Sequence, residues 1–207
     1  MKRRQRGRER GQGLVEFVLV VPVILLLVVS VAELGMAFGN VHTIGYGSRE
    51  GARVGSALAR GGVIDCSGGT DPAGVDKTLV AAVQRILKSP GSGIDISRVQ
   101  EIRIFKADAA GAEIAGTVSA WTYVGEQNGA EVDPGPGVLN IDFDTLSTPW
   151  PACVRVNSGA NADSIGVTVR YRYDFVSPMP AMIDAITGGD LSLVLSETTV
   201  MSLNPSI

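Results

Sequence analysis

Residues 17–32 form a run of 16 residues without a charge, bounded by Glu16 on one side and Glu33 on the other. As a helix this run is about 24 Å of nearly continuous Val, Leu and Ile, and it has to be buried in protein or in lipid. It falls short of the ~30 Å hydrocarbon core of a bilayer, so its length admits two readings. Counted from residue 14 to residue 38, with both glutamates toward the interfaces, the segment reaches about 37 Å and spans with some tilt. Read instead as a cleavable secretory signal, it has a basic leading region, an apolar stretch over 17–29 and Ser30-Val31-Ala32 as a small-x-small cleavage site. Glu16 and Pro22 favour the span, since a cleavable signal needs neither. The helical pattern also continues past Ala32, where a mature domain would otherwise begin.

The flanks of the run give it a direction. Residues 1–11 carry Lys2, Arg3, Arg4, Arg6, Arg8 and Arg10 against Glu9, a net of +5 in a chain whose total is -3, which leaves -8 for the remainder. Short basic flanks stay cytoplasmic, so the region after the span is expected on the outer side of the membrane. An acidic body offers nucleic acid no electrostatic footprint. At 207 residues, 45% hydrophobic and 5% aromatic, the chain suffices for an anchor and one modest domain, and it is not a disordered tail.

From Gly35 onward small residues recur at every fourth position: Gly35, Gly39, Thr43, Gly47, Gly51, Gly55 and Ala59. On a helix these make one slowly winding stripe, along which another helix can approach closely. Glycine costs a helix interior about 1 kcal/mol relative to alanine, so five of them require a return, and close packing is one. The competing reading is a flexible glycine-rich linker.

Glu16 inside the oily segment is explained by what precedes it. Gly11 is followed by Gln12-Gly13-Leu14-Val15-Glu16-Phe17, so a cut after Gly11 leaves a glutamate fifth and an aromatic sixth. This resembles the processing site of type IV pilin-like precursors of the Flp subfamily. The resemblance implies a prepilin peptidase that removes the basic leader, and a new amine at Gln12 that meets Glu16 of its own or a neighbouring subunit. Residues i and i+4 share a helix face, which allows the first of these contacts. A narrower resemblance follows from GQGLVEFVLVVPVILLLVVSVAELGMAF and, at residues 48–59, SREGARVGSALA. These look like the N-terminal half of TadE-like pilus-assembly proteins: a "VEF" segment at Glu16 and Phe17, a proline at Pro22, a second glutamate at Glu33 with Gly35, then "REGAR" at Arg49 to Arg53. TadG-like N-termini usually lack the first glutamate. The stretch VTVRYRYDFVSPMP, residues 167–180, and the last strand also resemble this family, whereas the middle of the chain shows no family pattern and is longer than expected.

The outer part reads as a small α+β head. Asp71-Pro72 is a cap and first-turn pair, Val75, Leu79, Ala82, Val83, Ile86 and Leu87 form one helical face, and Ser89-Pro90-Gly91 stops that helix. Strands are expected over 99–107, 118–124, 164–175 and 191–201. The third is the clearest, with Val167, Val169, Tyr171, Tyr173 and Phe175 alternating with Thr168, Arg170, Arg172 and Asp174. Segments 61–75 and 125–163 read as loops, and Asp133 to Gly137 as a turn.

Catalytic chemistry finds little footing. His42 is the single histidine, so neither a His-based zinc site nor a Ser-His-Asp triad can be assembled, and an exposed or helix-packing imidazole is the simpler reading. Asp142 and Asp144 could join a calcium site, but the simpler reading is a solvated acidic face. No phosphate-cradling glycine motif follows a strand. Cys66 and Cys153 are the only cysteines; in an oxidising compartment they would close a loop whose entropy term is roughly 4 to 5 kcal/mol, or else remain two unpaired thiols.

These readings combine into an α+β protein with a long N-terminal transmembrane helix continuing into a small extracytoplasmic head with an antiparallel sheet. Its expected parts are a basic cytoplasmic leader over 1–11, the helix over 12–60 and the head over 61–207. The resemblance implies a TadE-like minor pilin or pseudopilin, not an enzyme, without cofactor or metal, held in the inner membrane and able to enter a surface pilus. Its expected partners are the membrane, other pilin-like subunits, the pilus-assembly machinery and a prepilin peptidase. The sites are Gly11 and Gln12 for cleavage, Glu16, Phe17 and Glu33 for assembly, and Gly35, Gly39, Gly47, Gly51 and Gly55 for helix packing. The alternative is a membrane-tethered or secreted ligand-binding module with no filament role.

Overall fold

The computed structural model describes residues 6–58, 74–132, 139–157, 161–177, 185, 188 and 192–203. Helix α1 runs from Arg6 to Leu58, with Pro22 inside it. Helix α2 covers Val75–Leu87, and seven strands follow: β1 Val99–Ala107, β2 Ser119–Tyr123, β3 Glu131–Val132, β4 Leu139–Asn140, β5 Phe143–Thr145, β6 Ser164–Asp174 and β7 Ser192–Ser202. By contacts the chain divides into two compact units. One holds Met1–Phe38 with Phe175–Leu191, the other Gly39–Asp174 with Ser192–Ile207.

In the first unit, Val, Leu and Ile make α1 apolar on every side, and its 18-residue window of highest hydropathy has no buried residue. A helix that is hydrophobic all round is suited to lipid or to other helices and not to water. Among the described residues α1 is the one helix long and apolar enough to cross a membrane. Pro22 lacks the N–H that would bond one turn back, a defect a spanning helix tolerates when local adjustments satisfy the freed carbonyl.

In the second unit a five-stranded antiparallel sheet has the order β5-β2-β1-β6-β7. Long alternating strands make its centre: β1 pairs with β6 from Ala107↔Ser164 to Val99↔Tyr171 across one register shift, and β6 pairs with β7 over eleven unbroken positions. Ile102 and Ile104 of β1 join Ile165, Val167, Val169, Tyr171 and Tyr173 of β6 in the core. The amphipathic face of α2 supplies Val75, Leu79, Val80, Val83 and Leu87. That helix begins after Gly74, which is left-handed at φ 62, and ends at Leu87 with Lys88 as its C-cap, ahead of Gly91, which turns at φ 82. Asp71, Pro72, Ala59 and the turn at 133–137 lie outside the described residues.

The expected loop over 125–163 requires correction, because β5 lies within it and extends the sheet, and β3 and β4 form a separate two-stranded ladder. Strands of two or three residues contain too little alternation to be read from pattern. Phe143 to Thr145 become a strand because Tyr123 to Trp121 lie opposite them. Asp142 is a second correction. Its side chain is fully buried, in an ion pair with Lys88 at 2.5 Å. Its Oδ1 also accepts the Gln127 N–H at 2.9 Å, and its own N–H donates to Gln84 Oε1 at 2.8 Å. A buried carboxylate persists when it is paired and hydrogen-bonded in this way, whereas Asp144 remains exposed.

Candidate functional site

The chemistry-bearing residues of α1 fall into three groups with different surroundings. Glu16 and Phe17 are exposed at the start of the apolar run, and Gln12 Nε2 donates to Glu16 Oε1 at 3.1 Å across one helical turn. The i and i+4 spacing brings residue 12 to the carboxylate of residue 16. Gly11 is part of the same continuous helix.

Glu33 is buried, 6% exposed. Its two carboxylate oxygens accept the backbone N–H groups of Val176 at 2.6 Å and Ser177 at 3.0 Å, both in the connection that leaves β6. A carboxylate accepting two amides is a charge-assisted arrangement of the stronger kind. The sequence places Glu33 at the end of the apolar run, but nothing local to it points to residues 176 and 177.

The small-residue stripe divides in two. A Cβ added at Gly35 or Gly39 would meet nothing within 4 Å. At Gly51 it would lie 2.6 Å from Val83 Cγ2 and 3.2 Å from Val167 Cγ1, at Gly55 2.7 Å from both Ile165 Cδ1 and Leu79 Cδ1, and at Gly47 3.4 Å from Leu87 Cδ2. Gly47, Gly51 and Gly55 thus let α2 and β6 of the same chain close against α1. Ser48 adds a hydroxyl contact to Thr199 at 2.9 Å. Gly51→Ala is therefore expected to destabilise the second unit by about 1–2 kcal/mol, overpacking exceeding the gain in helix propensity. Gly39→Ala, in open space, is expected to stabilise it by up to about 1 kcal/mol. The two denaturation midpoints, compared with the parent protein, check the opposite signs.

His42 is exposed and lines a shallow groove with Val41, Gly45, Tyr46, Arg49 and Glu197. No cluster of three or more His, Cys, Asp or Glu able to hold a metal ion occurs among the described residues. Cys153 sits half-buried in a 3-10 turn, Ala152–Val154, and Cys66 lies outside the described residues. Two residues on, Arg155 is fully buried, and its guanidinium stands 2.7 Å from Asp76 at the start of α2 and 4.6 Å from the centre of the Trp150 ring. It also donates to the Trp150 carbonyl at 3.1 Å. This pair was not legible in the sequence, where nothing local to either residue points to the other and Arg155 falls in the segment read as a loop.

No curated protein and no solved structure matches the chain. Residues 11–53 match the family model described as TadE-like protein. The matched residues run from the glycine before the apolar segment to the last arginine of "REGAR", and they lie within α1. Over that segment, about a fifth of its length, the chain is similar to TadE-like proteins.

Proposed function

We propose that the protein is a minor pilin-like subunit, matured by a prepilin peptidase after Gly11 and assembled through α1 into a Flp-type pilus or its base. The observation that supports this most directly is Gln12 bonded to Glu16 on an exposed helix face inside an apolar anchor. After a cut at Gly11 the new amine belongs to Gln12, so a positive charge stands one turn from Glu16, or meets Glu16 of a neighbour. Gly11 and Gly13 flank the position of the cut, and each lowers helix propensity by about 1 kcal/mol relative to alanine, which eases opening of the chain for a peptidase. The basic leader sits on the cytoplasmic side, and the second unit on the outer side, by the charge asymmetry of the flanks.

The test is the mature N-terminus of protein taken from its native membrane with the peptidase present, by intact mass and N-terminal peptide sequencing. A start at Gln12 is expected. A start at Glu33 would make this an ordinary secreted domain, and an intact Met1 would leave an anchored module without processing. On the outer side the same reading implies that Cys66 and Cys153 pair; finding reactive thiols in unreduced, denatured protein would exclude this.

A further inference from the structure

The connection leaving β6 belongs to the same compact unit as the apolar half of α1, and Glu33 fastens it there. The level at which it is fastened is informative. Taking the uncharged run 17–32 as the centre of a span puts Glu33 about 13 Å from the midplane of the bilayer, against a half-thickness of about 15 Å for the hydrocarbon. The amides of Val176 and Ser177, within 3.0 Å of the Glu33 carboxylate, share that level. Backbone N–H groups there have little water to bond, and each one left unsatisfied costs several kcal/mol. Non-helical backbone at such a depth requires acceptors from the protein, and the two oxygens of Glu33 are those acceptors. The side chains agree with the location: Val176 is 72% exposed, and Val31 and Leu34, which flank Glu33 in sequence, are exposed as well. The sequence from Phe175 to Ile183 carries no charge.

We propose that this connection is a second membrane contact, in which residues 175–177 enter the lipid interface beside α1 and Glu33 supplies the hydrogen bonds their backbone would otherwise lose. Glu33 is thereby a positioning residue within one chain, in contrast to Glu16, whose carboxylate is exposed. The proposal rests on the reading that α1 spans a membrane, but not on cleavage at Gly11.

The experiment uses the full chain carrying Val176→Trp, reconstituted into phosphatidylcholine vesicles with or without bromine on the acyl chains. Membrane integration is followed separately by flotation and by resistance to alkaline carbonate. Brominated lipid is expected to quench the emission of Val176→Trp beyond that of the parent protein, whose Trp121 and Trp150 are buried in the second unit. Adding Glu33→Ala is expected to abolish the extra quenching and to speed hydrogen exchange at the amides of Val176 and Ser177. Integrated protein without extra quenching would overturn the lipid contact and leave the span intact. Extra quenching unaffected by Glu33→Ala would overturn the role given to Glu33. Release by carbonate would overturn the span, and this proposal with it.

Discussion

Arg155→Ala is expected to destabilise the second unit by about 3–5 kcal/mol, the cost of removing one partner from a buried ion pair. Asp76 and Arg155 are both fully buried, and they are 79 positions apart in sequence. Removing the guanidinium takes the ion pair away from the buried Asp76 carboxylate, takes the Arg155 donor from the Trp150 carbonyl and removes the cation that stands over the indole ring. An alanine also leaves a cavity that adds to the loss. The measurement is the urea midpoint of detergent-solubilised protein, followed by tryptophan emission. Replacing both partners by apolar residues, Asp76→Leu with Arg155→Met, is expected to cost much less, since no uncompensated charge remains. A single substitution costing under about 1 kcal/mol would show that solvent reaches the pair and would refute the claim that it locks α2 to the segment around Cys153.

The second large effect concerns Glu16. Glu16→Ala is expected to leave processing at Gly11 intact while reducing recovery of the protein in assembled pili or assembly complexes roughly 10-fold or more. That loss corresponds to one charge-assisted hydrogen bond of about 1.5–3 kcal/mol. Gly11→Leu should act one step earlier and leave the basic leader attached. The two defects separate by mass: leader retained for Gly11→Leu, leader removed for Glu16→Ala. Normal assembly by Glu16→Ala protein would remove the explanation offered for a carboxylate in an apolar helix. The substitution should not unfold the second unit, because the Glu16 side chain is exposed and its hydrogen-bond partner Gln12 is one turn away on α1.

The carboxylates of α1 illustrate why one motif can contain two kinds of residue. Both Glu16 and Glu33 border the same uncharged run, and in sequence both present themselves as assembly groups. In the structure Glu16 bonds to a neighbour on its own helix, whereas Glu33 is covered and bonds to residues 143 and 144 positions away. The glycine stripe behaves similarly. Its spacing marks a surface for close approach, and the three positions from Gly47 to Gly55 meet side chains of α2 and β6, while Gly35 and Gly39 stand open.

By itself the sequence determined everything that depends on short-range periodicity or on the exclusion of charge. The uncharged run marked an apolar helix, the 3.6-residue pattern marked α2, strict alternation marked β6, and β1, β2 and β7 were legible to within a residue or so. The VEF and REGAR segments were local strings, legible without any fold. Tertiary structure alone decided what depends on partners distant in the chain. The three residues of β5 become a strand only when β2 is beside them, and Asp142 reads as solvated until Lys88, Gln84 and Gln127 surround it. Asp76 finds Arg155, and Glu33 finds Val176, only in the folded chain. The physical reason is the same in each case: periodicity is a property of one segment, whereas satisfying a buried charge requires a second segment whose position only the folded chain supplies.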